Sequence, residues 1–336
     1  MHILKNTNFD FLRWRWHALA VSWIIIIAGV ISIATKGIPK GVEFAGGTVV
    51  IERFDQPVSV QQVRDALDKG LPGGGRDAVV QAYGAPADNQ VMIRVPSTGG
   101  ESGAQLSKKA KEVGDALRKA SLPKFSDPPV STEIVGPTVG QELTNKGLLA
   151  TGLSLIFILG YLAFRFQFSF GVGAIVATIH DLLITIAFLA FFRYDMTLNV
   201  IAAILTMTGY STNDTIVIFD RIRENLRSMR RDSLYHVINI SVNQTLTRTI
   251  ITSGTALLTA LALFFFGGEV LHGFAFTMIV GIITGTYSSV FIAAAIVSFW
   301  RGNAPARAAA SAPAASPAPA APQQPQRKKQ RNARAS

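Results

Sequence analysis

The residues best placed to do chemistry are carboxylates inside long apolar runs. His180-Asp181 lies within the run 171–192, and Asp214 lies in the polar stretch Gly209-Tyr210-Ser211-Thr212-Asn213-Asp214-Thr215 of the run 198–219. A charge at the centre of a bilayer costs at least about 2.5 kcal/mol even on lenient scales, so an intramembrane acid is functional by default. On a helix Tyr210, Ser211 and Asp214 fall at i, i+1 and i+4 and make one polar stripe, which must face other helices or water. Asn243-Gln244-Thr245-Leu246-Thr247-Arg248 leads into the run 250–266, and Arg248 is the cation expected close to Asp214 inside the bundle. His180 and Asp181 are secondary candidates, read either as an internal hydrogen-bonded pair joining helices or as proton-handling groups. Being adjacent, they project about 100° apart on a helix and make no obvious catalytic pair.

Enzymatic signatures are absent. There is no His-Glu-x-x-His, no Gly-x-Ser-x-Gly and no Walker sequence. Pro72-Gly73-Gly74-Gly75 and Ser97-Thr98-Gly99-Gly100 lack a following Gly-Lys-Ser/Thr and read as loop punctuation. The chain has no cysteine, which excludes disulfides and Cys-ligated metal. The expectation is a non-enzyme without metal or cofactor.

The elements that carry these residues follow from hydropathy. Of 336 residues 49% are hydrophobic and only 16% charged, against roughly 25% charged in soluble domains; the mean hydropathy is +0.32. A bilayer core about 30 Å thick needs about 20 apolar helical residues. Six runs qualify as predicted spans: His17–Thr35, Leu148–Phe164, Gly171–Phe192, Leu198–Phe219, Ile250–Phe266 and Gly273–Trp300. The net charge of +11 collects beside these runs and in the tail. Arg221, Arg223, Arg227, Arg230 and Arg231 follow the fourth run, whereas the loop at Tyr194 holds only Arg193 and that at Gly268 holds neither Lys nor Arg. The positive-inside rule then puts both termini in the cytoplasm and the polar interval outside.

That interval, 36–146, alternates as β-α-β-β-α-β, with strands at 48–54, 78–82, 90–95 and 132–135 and helical spacing at Val60, Val63, Leu67 and at Leu106, Ala110, Val113, Leu117. The fold class is therefore an α-helical polytopic membrane protein with a small α+β ferredoxin-like extracytoplasmic domain between helices 1 and 2. The units are 1–35 with the first span, 36–146 outside, 147–300 with spans two to six, and 301–336, a basic Ala/Pro-rich tail too poor in apolar residues to pack. The outer domain is tied in by Lys36–Phe44 and Val135–Lys146. Gly46, Gly47, Gly136, Pro137 and Gly140 there are read as hinges or as tight turns. Gly281, Gly285, Ser288 and Ser289 allow close helix approach in the last span.

The stretch Gly209 to Asn225, together with Asn243-Gln244-Thr245-Leu246-Thr247-Arg248-Thr249-Ile250, Val135-Gly136-Pro137-Thr138-Val139-Gly140-Gln141-Glu142-Leu143, Gly46-Gly47-Thr48 and Gly285-Thr286-Tyr287-Ser288-Ser289, resembles the SecD/SecF family on its SecF side. Glu43 stands where Asp is more familiar and Thr212 where an aliphatic residue is usual. The resemblance implies a half-transporter of the resistance-nodulation-division type in the bacterial inner membrane. Its partners would be a SecD-like subunit, the SecYEG translocon, a YajC-like small membrane protein, the exported unfolded polypeptide and the lipid bilayer, with no specific nucleic acid. It further implies a proton pathway through Asp214 and Arg248, with Asn213 and Tyr210 beside them. Half of a proton-driven solute exporter, or an inert scaffold of the export complex, are the competing readings.

Overall fold

The computed structural model describes residues 7–71, 78–84, 86–97, 101–165 and 167–301. The tail expectation, apart from Arg301, and most of both glycine-rich loops lie outside those residues. The chain forms α1 (Arg15–Lys36), α2 (Val42–Ala45), β1 (Gly47–Arg53), α3 (Val60–Gly70), β2 (Val79–Tyr83), β3 (Gln90–Pro96), α4 (Gly103–Lys119) and β4 (Ser131–Val135). It continues through α5 (Pro137–Arg165), α6 (Phe168–Phe191), α7 (Leu198–Ser228), α8 (Leu234–Phe266) and α9 (Glu269–Ser288), then a π-helical turn (Ser289–Ala293) and α10 (Ala294–Arg301).

Among the described residues, five helical segments are long and apolar enough to cross a membrane: Leu12–Lys36, Pro137–Arg165, Phe168–Phe191, Leu234–Phe266 and Val270–Phe299. The remaining predicted span, the fourth, is α7, which packs among them but falls short in apolarity because of its Tyr210–Thr215 stripe and the charges that follow Phe219. α7 also runs on to Ser228, so Arg221, Arg223 and Arg227 are helical rather than in a loop. Arg221 donates to Gln244 of α8 at 2.7 Å and pairs with Glu224 at 2.6 Å, and Asn225 donates to Ser241 and Gln244, both at 2.8 Å. These side chains extend the α7–α8 contact past the apolar run. α5 ends at Arg165 and α6 begins at Phe168, the close succession expected from the short spacing of the two runs.

The outer strands form one antiparallel sheet in the order β2-β3-β1-β4, the ferredoxin-like arrangement of a β-α-β-β-α-β chain. Gly47 pairs with Pro96 on one side and Val135 on the other. Val50, Val80, Val91 and Ile93 face α3 and α4 and close a core with Val63, Leu67, Val113 and Leu117. Both helices begin in capping boxes, Ser59 with Gln62 and Ser102 with Gln105, which satisfy otherwise orphaned amides. Glu52 is buried on this side with 1% exposure; Ser126 donates to its Oε2 at 3.2 Å, and Oε1 has no partner among the described residues.

Burial pushes Glu52 up from 4.5 to about 7. A raised acid stabilises the fold while it keeps its proton, so that contribution is full below pH 4.5 and is lost as pH climbs through about 7. The domain is expected to lose on the order of 3 kcal/mol over that window, and Glu52→Gln to flatten the slope. Denaturant unfolding of the full chain at a series of pH values, read by a dye on a cysteine introduced in α3, checks this; equal slopes in both proteins would refute it.

The opposite sheet face, with Val49, Ile51, Met92 and Arg94, looks onto the ends of the membrane helices across a cavity of about 390 Å³. The connections expected to act as hinges are short and packed. Only Gly136 separates β4 from α5, Pro137 opens α5, and Gly140 lies in its first turn, so the boundary drawn at Lys146 moves back to Gly136. A Cβ on Gly140 would lie 3.3 Å from the Gly46 amide, and one on Gly47 (φ +132) only 2.4 Å from the Val95 carbonyl. Gly46 has φ +69, the left-handed region that favours glycine. Gly46 and Gly140 let α2 pack on α5, and Gly47 lets β1 lie close against β3.

Candidate functional site

α7 starts at an N-cap, Thr197, and its helical repeat turns Tyr210, Ser211 and Asp214 toward neighbouring helices as the stripe requires. Asp214 is 3% exposed. Its Oδ2 accepts from Ser253 of α8 at 3.2 Å, while Tyr210 and Thr286 of α9 donate to the same Ser253 oxygen at 3.1 and 2.8 Å. A single hydroxyl thus gathers α7, α8 and α9 around the carboxylate.

The expected Asp214–Arg248 contact takes another form. Arg248 is exposed on α8, and among the described residues the two make no ion pair. Asn213 is also exposed and lines a shallow hollow between α5 and α7 with Phe157, Tyr161 and Gly209. Asp214 and Tyr210 are therefore brought together inside the chain, whereas Asn213 and Arg248 lie on its outer surface.

The secondary candidates form the more deeply enclosed cluster. Asp181 is 1% exposed, and His180 Nδ1 lies 2.9 Å from its Oδ1. The imidazole turns back to its neighbour despite their angular offset. Ser211 of α7 and Ser288 of α9 both donate to Oδ2, the latter at 2.7 Å. His180 Nε2 sits 2.8 Å from Ser22 of α1. Four helices converge here because their small residues allow it: a Cβ on Gly29 would fall 2.3 Å from Ala187, and one on Gly285 2.7 Å from Ser211. Ser22 and Ser253 carried no signal beyond being hydroxyls in apolar helices, and Thr286 none beyond its place in the stretch 285–289.

The loop from α6 to α7 links this interior to the outer domain. Arg94 of β3 makes a charge-assisted, two-pronged contact with Asp195 and donates to the Lys40 carbonyl at 2.9 Å. Gly41 N donates to the Met196 carbonyl at 2.7 Å, Met196 N to the Pro39 carbonyl at 2.8 Å, and Arg193 to the Lys36 and Gly37 carbonyls at 3.0 Å. No metal-binding group of His, Asp and Glu occurs among the described residues.

Residues 117–303 match the family model for the C-terminal region of the protein export membrane proteins SecD and SecF, and residues 31–58 match the SecD/SecF GG motif. The chain belongs to the SecD/SecF family. Relatives called protein translocase subunit SecF agree with that placement. One from Pseudomonas aeruginosa is 42% identical, covering 88% of this chain and 92% of its own. One from Escherichia coli O157:H7 is 38% identical, covering 86% of each. The crystal structure of SecDF, a translocon-associated membrane protein from Thermus thermophilus, superposes with a TM-score of 0.77 at 32% identity over 88% of this chain. This chain spans 39% of that SecDF chain. The SecD/SecF GG motif contains Gly46 and Gly47, whose left-handed backbone and tight packing were described above.

Proposed function

We propose that this chain is the SecF-type accessory subunit of the protein translocase. It works with a SecD-type partner in the inner membrane to drive late export of unfolded polypeptide through SecYEG, with a YajC-like protein alongside. Both termini are cytoplasmic and the sheet domain is periplasmic, in accord with the distribution of Lys and Arg. It transports rather than catalyses covalent chemistry. The observation that carries the reading is the placement of Asp214 on the helix whose entry loop grips the outer domain. A change of proton occupancy at Asp214 alters the charge enclosed by α7, α8 and α9, and α7 is joined through Asp195 and Met196 to the domain that meets the exported chain. Moving one charge through the membrane field is worth about 2.3 kcal/mol per 100 mV, enough to bias a two-state equilibrium. Arg248 and Asn213, exposed here, face the SecD-type partner and complete the proton path with Asp214 and Tyr210.

Affinity purification of the tagged chain from native membranes is expected to retain a SecD-type chain. Its depletion is expected to slow gradient-stimulated export into membrane vesicles without affecting export driven by ATP alone. A chain that purifies without that partner, and whose depletion leaves gradient stimulation intact, would remove the proposal.

A further inference from the structure

The hydrogen atoms around His180 can be counted. Tyr287 OH lies 2.6 Å from the carbonyl of Ala18, which has no hydrogen to offer, so the phenol proton is committed there. Ser22 Oγ lies 3.3 Å from the same phenol oxygen, and that contact is a hydrogen bond only if Ser22 donates. Ser22 then has no second proton, so His180 Nε2, 2.8 Å away, must donate to it. A neutral imidazole protonated on Nε2 presents a bare Nδ1. That atom faces Asp181 Oδ1 at 2.9 Å, and Oδ2 is occupied by the hydroxyls of Ser211 and Ser288. Two lone pairs would face each other unless one further proton lies between them, on the carboxyl or on the ring.

We propose that His180 and Asp181 form a second proton-binding site, separate from Asp214, whose loaded state is the one seen here and whose unloading loosens α1 from α9. Removing the proton leaves Nδ1–H donating to a carboxylate and Nε2 bare. The Ser22 hydroxyl must then turn to Nε2 and abandon Tyr287. The lost bond joins α1 to α9, so proton occupancy is linked to a helix contact. The loaded pair is neutral overall. The unloaded pair carries a buried negative charge, which is unfavourable without a cation.

No Lys or Arg among the described residues pairs with Asp181. α1 presents Ser22, α7 presents Ser211, and α9 presents Ser288 and Tyr287, the last being the other titratable group in the network. Asp214 lies on α7 but turns to Ser253 of α8. The π-helical turn directly after Ser288 adds a local widening of the sort often found at functional sites.

The test uses the full chain, ¹⁵N-labelled at histidine, reconstituted in lipid with its SecD-type partner. Imidazole ¹⁵N signals of His180, assigned by their loss in His180→Gln, report which ring nitrogens carry protons. The readout is protonation and not export, so it stands apart from the functional reading above. Near neutral pH, Nε2 is expected to be protonated and to become bare as pH rises. Tyr287→Phe removes the acceptor for Ser22 and is expected to move that transition about one pH unit lower, a tenfold change in proton affinity. Nε2 bare throughout, Nε2 never losing its proton, or an unshifted transition in Tyr287→Phe would each overturn the proposal. If Tyr287→Phe does not accumulate, spin labels on α1 and α9 decide the linkage in the otherwise unaltered chain. Their distance distribution is expected to broaden on unloading, and an unchanged distribution overturns it.

Discussion

Asp214→Asn is expected to insert, fold and hold its SecD-type partner, yet to lose gradient-stimulated export by tenfold or more. Asn keeps the shape of Asp and a side-chain oxygen to accept from Ser253, so the hub at Ser253, Tyr210 and Thr286 persists. What disappears is the carboxylate of that cluster. Structural damage and chemical damage are thus separable. Protein level and partner retention stay near normal while the dependence on the gradient vanishes, a loss of about 1.4 kcal/mol or more of coupling at tenfold. Asp214→Asn vesicles that respond to the gradient like the unaltered protein would remove Asp214 from the proton path. Arg248→Met makes a companion case: because Arg248 is exposed on this chain, its effect is expected to require the partner and to leave the isolated chain's stability unchanged.

Breaking the grip between the outer domain and the helices is expected to be equally severe. The side chains of Arg94 and Asp195 are 11% and 19% exposed, and removing one member of a buried pair typically costs about 3–5 kcal/mol because the other is left unpaired. Arg94→Met strands Asp195 and also strips the Lys40 carbonyl of its donor. Hydrogen exchange is expected to rise at residues 39–41 and 193–197, with gradient-stimulated export falling while membrane insertion is unaffected. The exchanged pair, Arg94→Asp with Asp195→Arg, is expected to recover part of both. Unchanged exchange at 193–197 in Arg94→Met would show that the domain is held by backbone contacts alone.

Much of the fold was legible because bilayer thickness and strand alternation impose strong periodicities. Ile24–Ile27 could only be a span, and the β-rich runs at 48–54, 78–82 and 90–95 read as strands. Legibility failed where polar residues continue a helix. α7 outlasts its apolar run because Arg221, Glu224 and Asn225 find partners on α8 or along their own helix. The predicted hinge after Val135 is helical because Pro137 suits a first helical position and Gly140 lets α2 approach. Within the site the stripe Tyr210-Ser211-Asp214 was readable from spacing. Ser253 and Ser22 were not, since a lone hydroxyl in an apolar helix has no pattern and its partners are far away in sequence. Arg94 and Asp195 looked like ordinary polar residues for the same reason: 101 positions separate them.

The seam between α7 and α9 sets the step by which these helices can be displaced. They run parallel: Gly273 meets Val200, Gly281 meets Met207 and Gly285 meets Ser211. Met207 and Ser211 are one helical turn apart, and so are the recesses at Gly281 and Gly285. A shift of α9 by one turn, about 5.4 Å, brings Gly281 to Ser211 or Gly285 to Met207, a recess again facing a projection. A smaller shift leaves Met207 and Ser211 between recesses, against the turn of α9 that joins Gly281 to Gly285. Of the shifts open to this seam, a whole turn is the one that keeps a recess of α9 opposite a projection of α7.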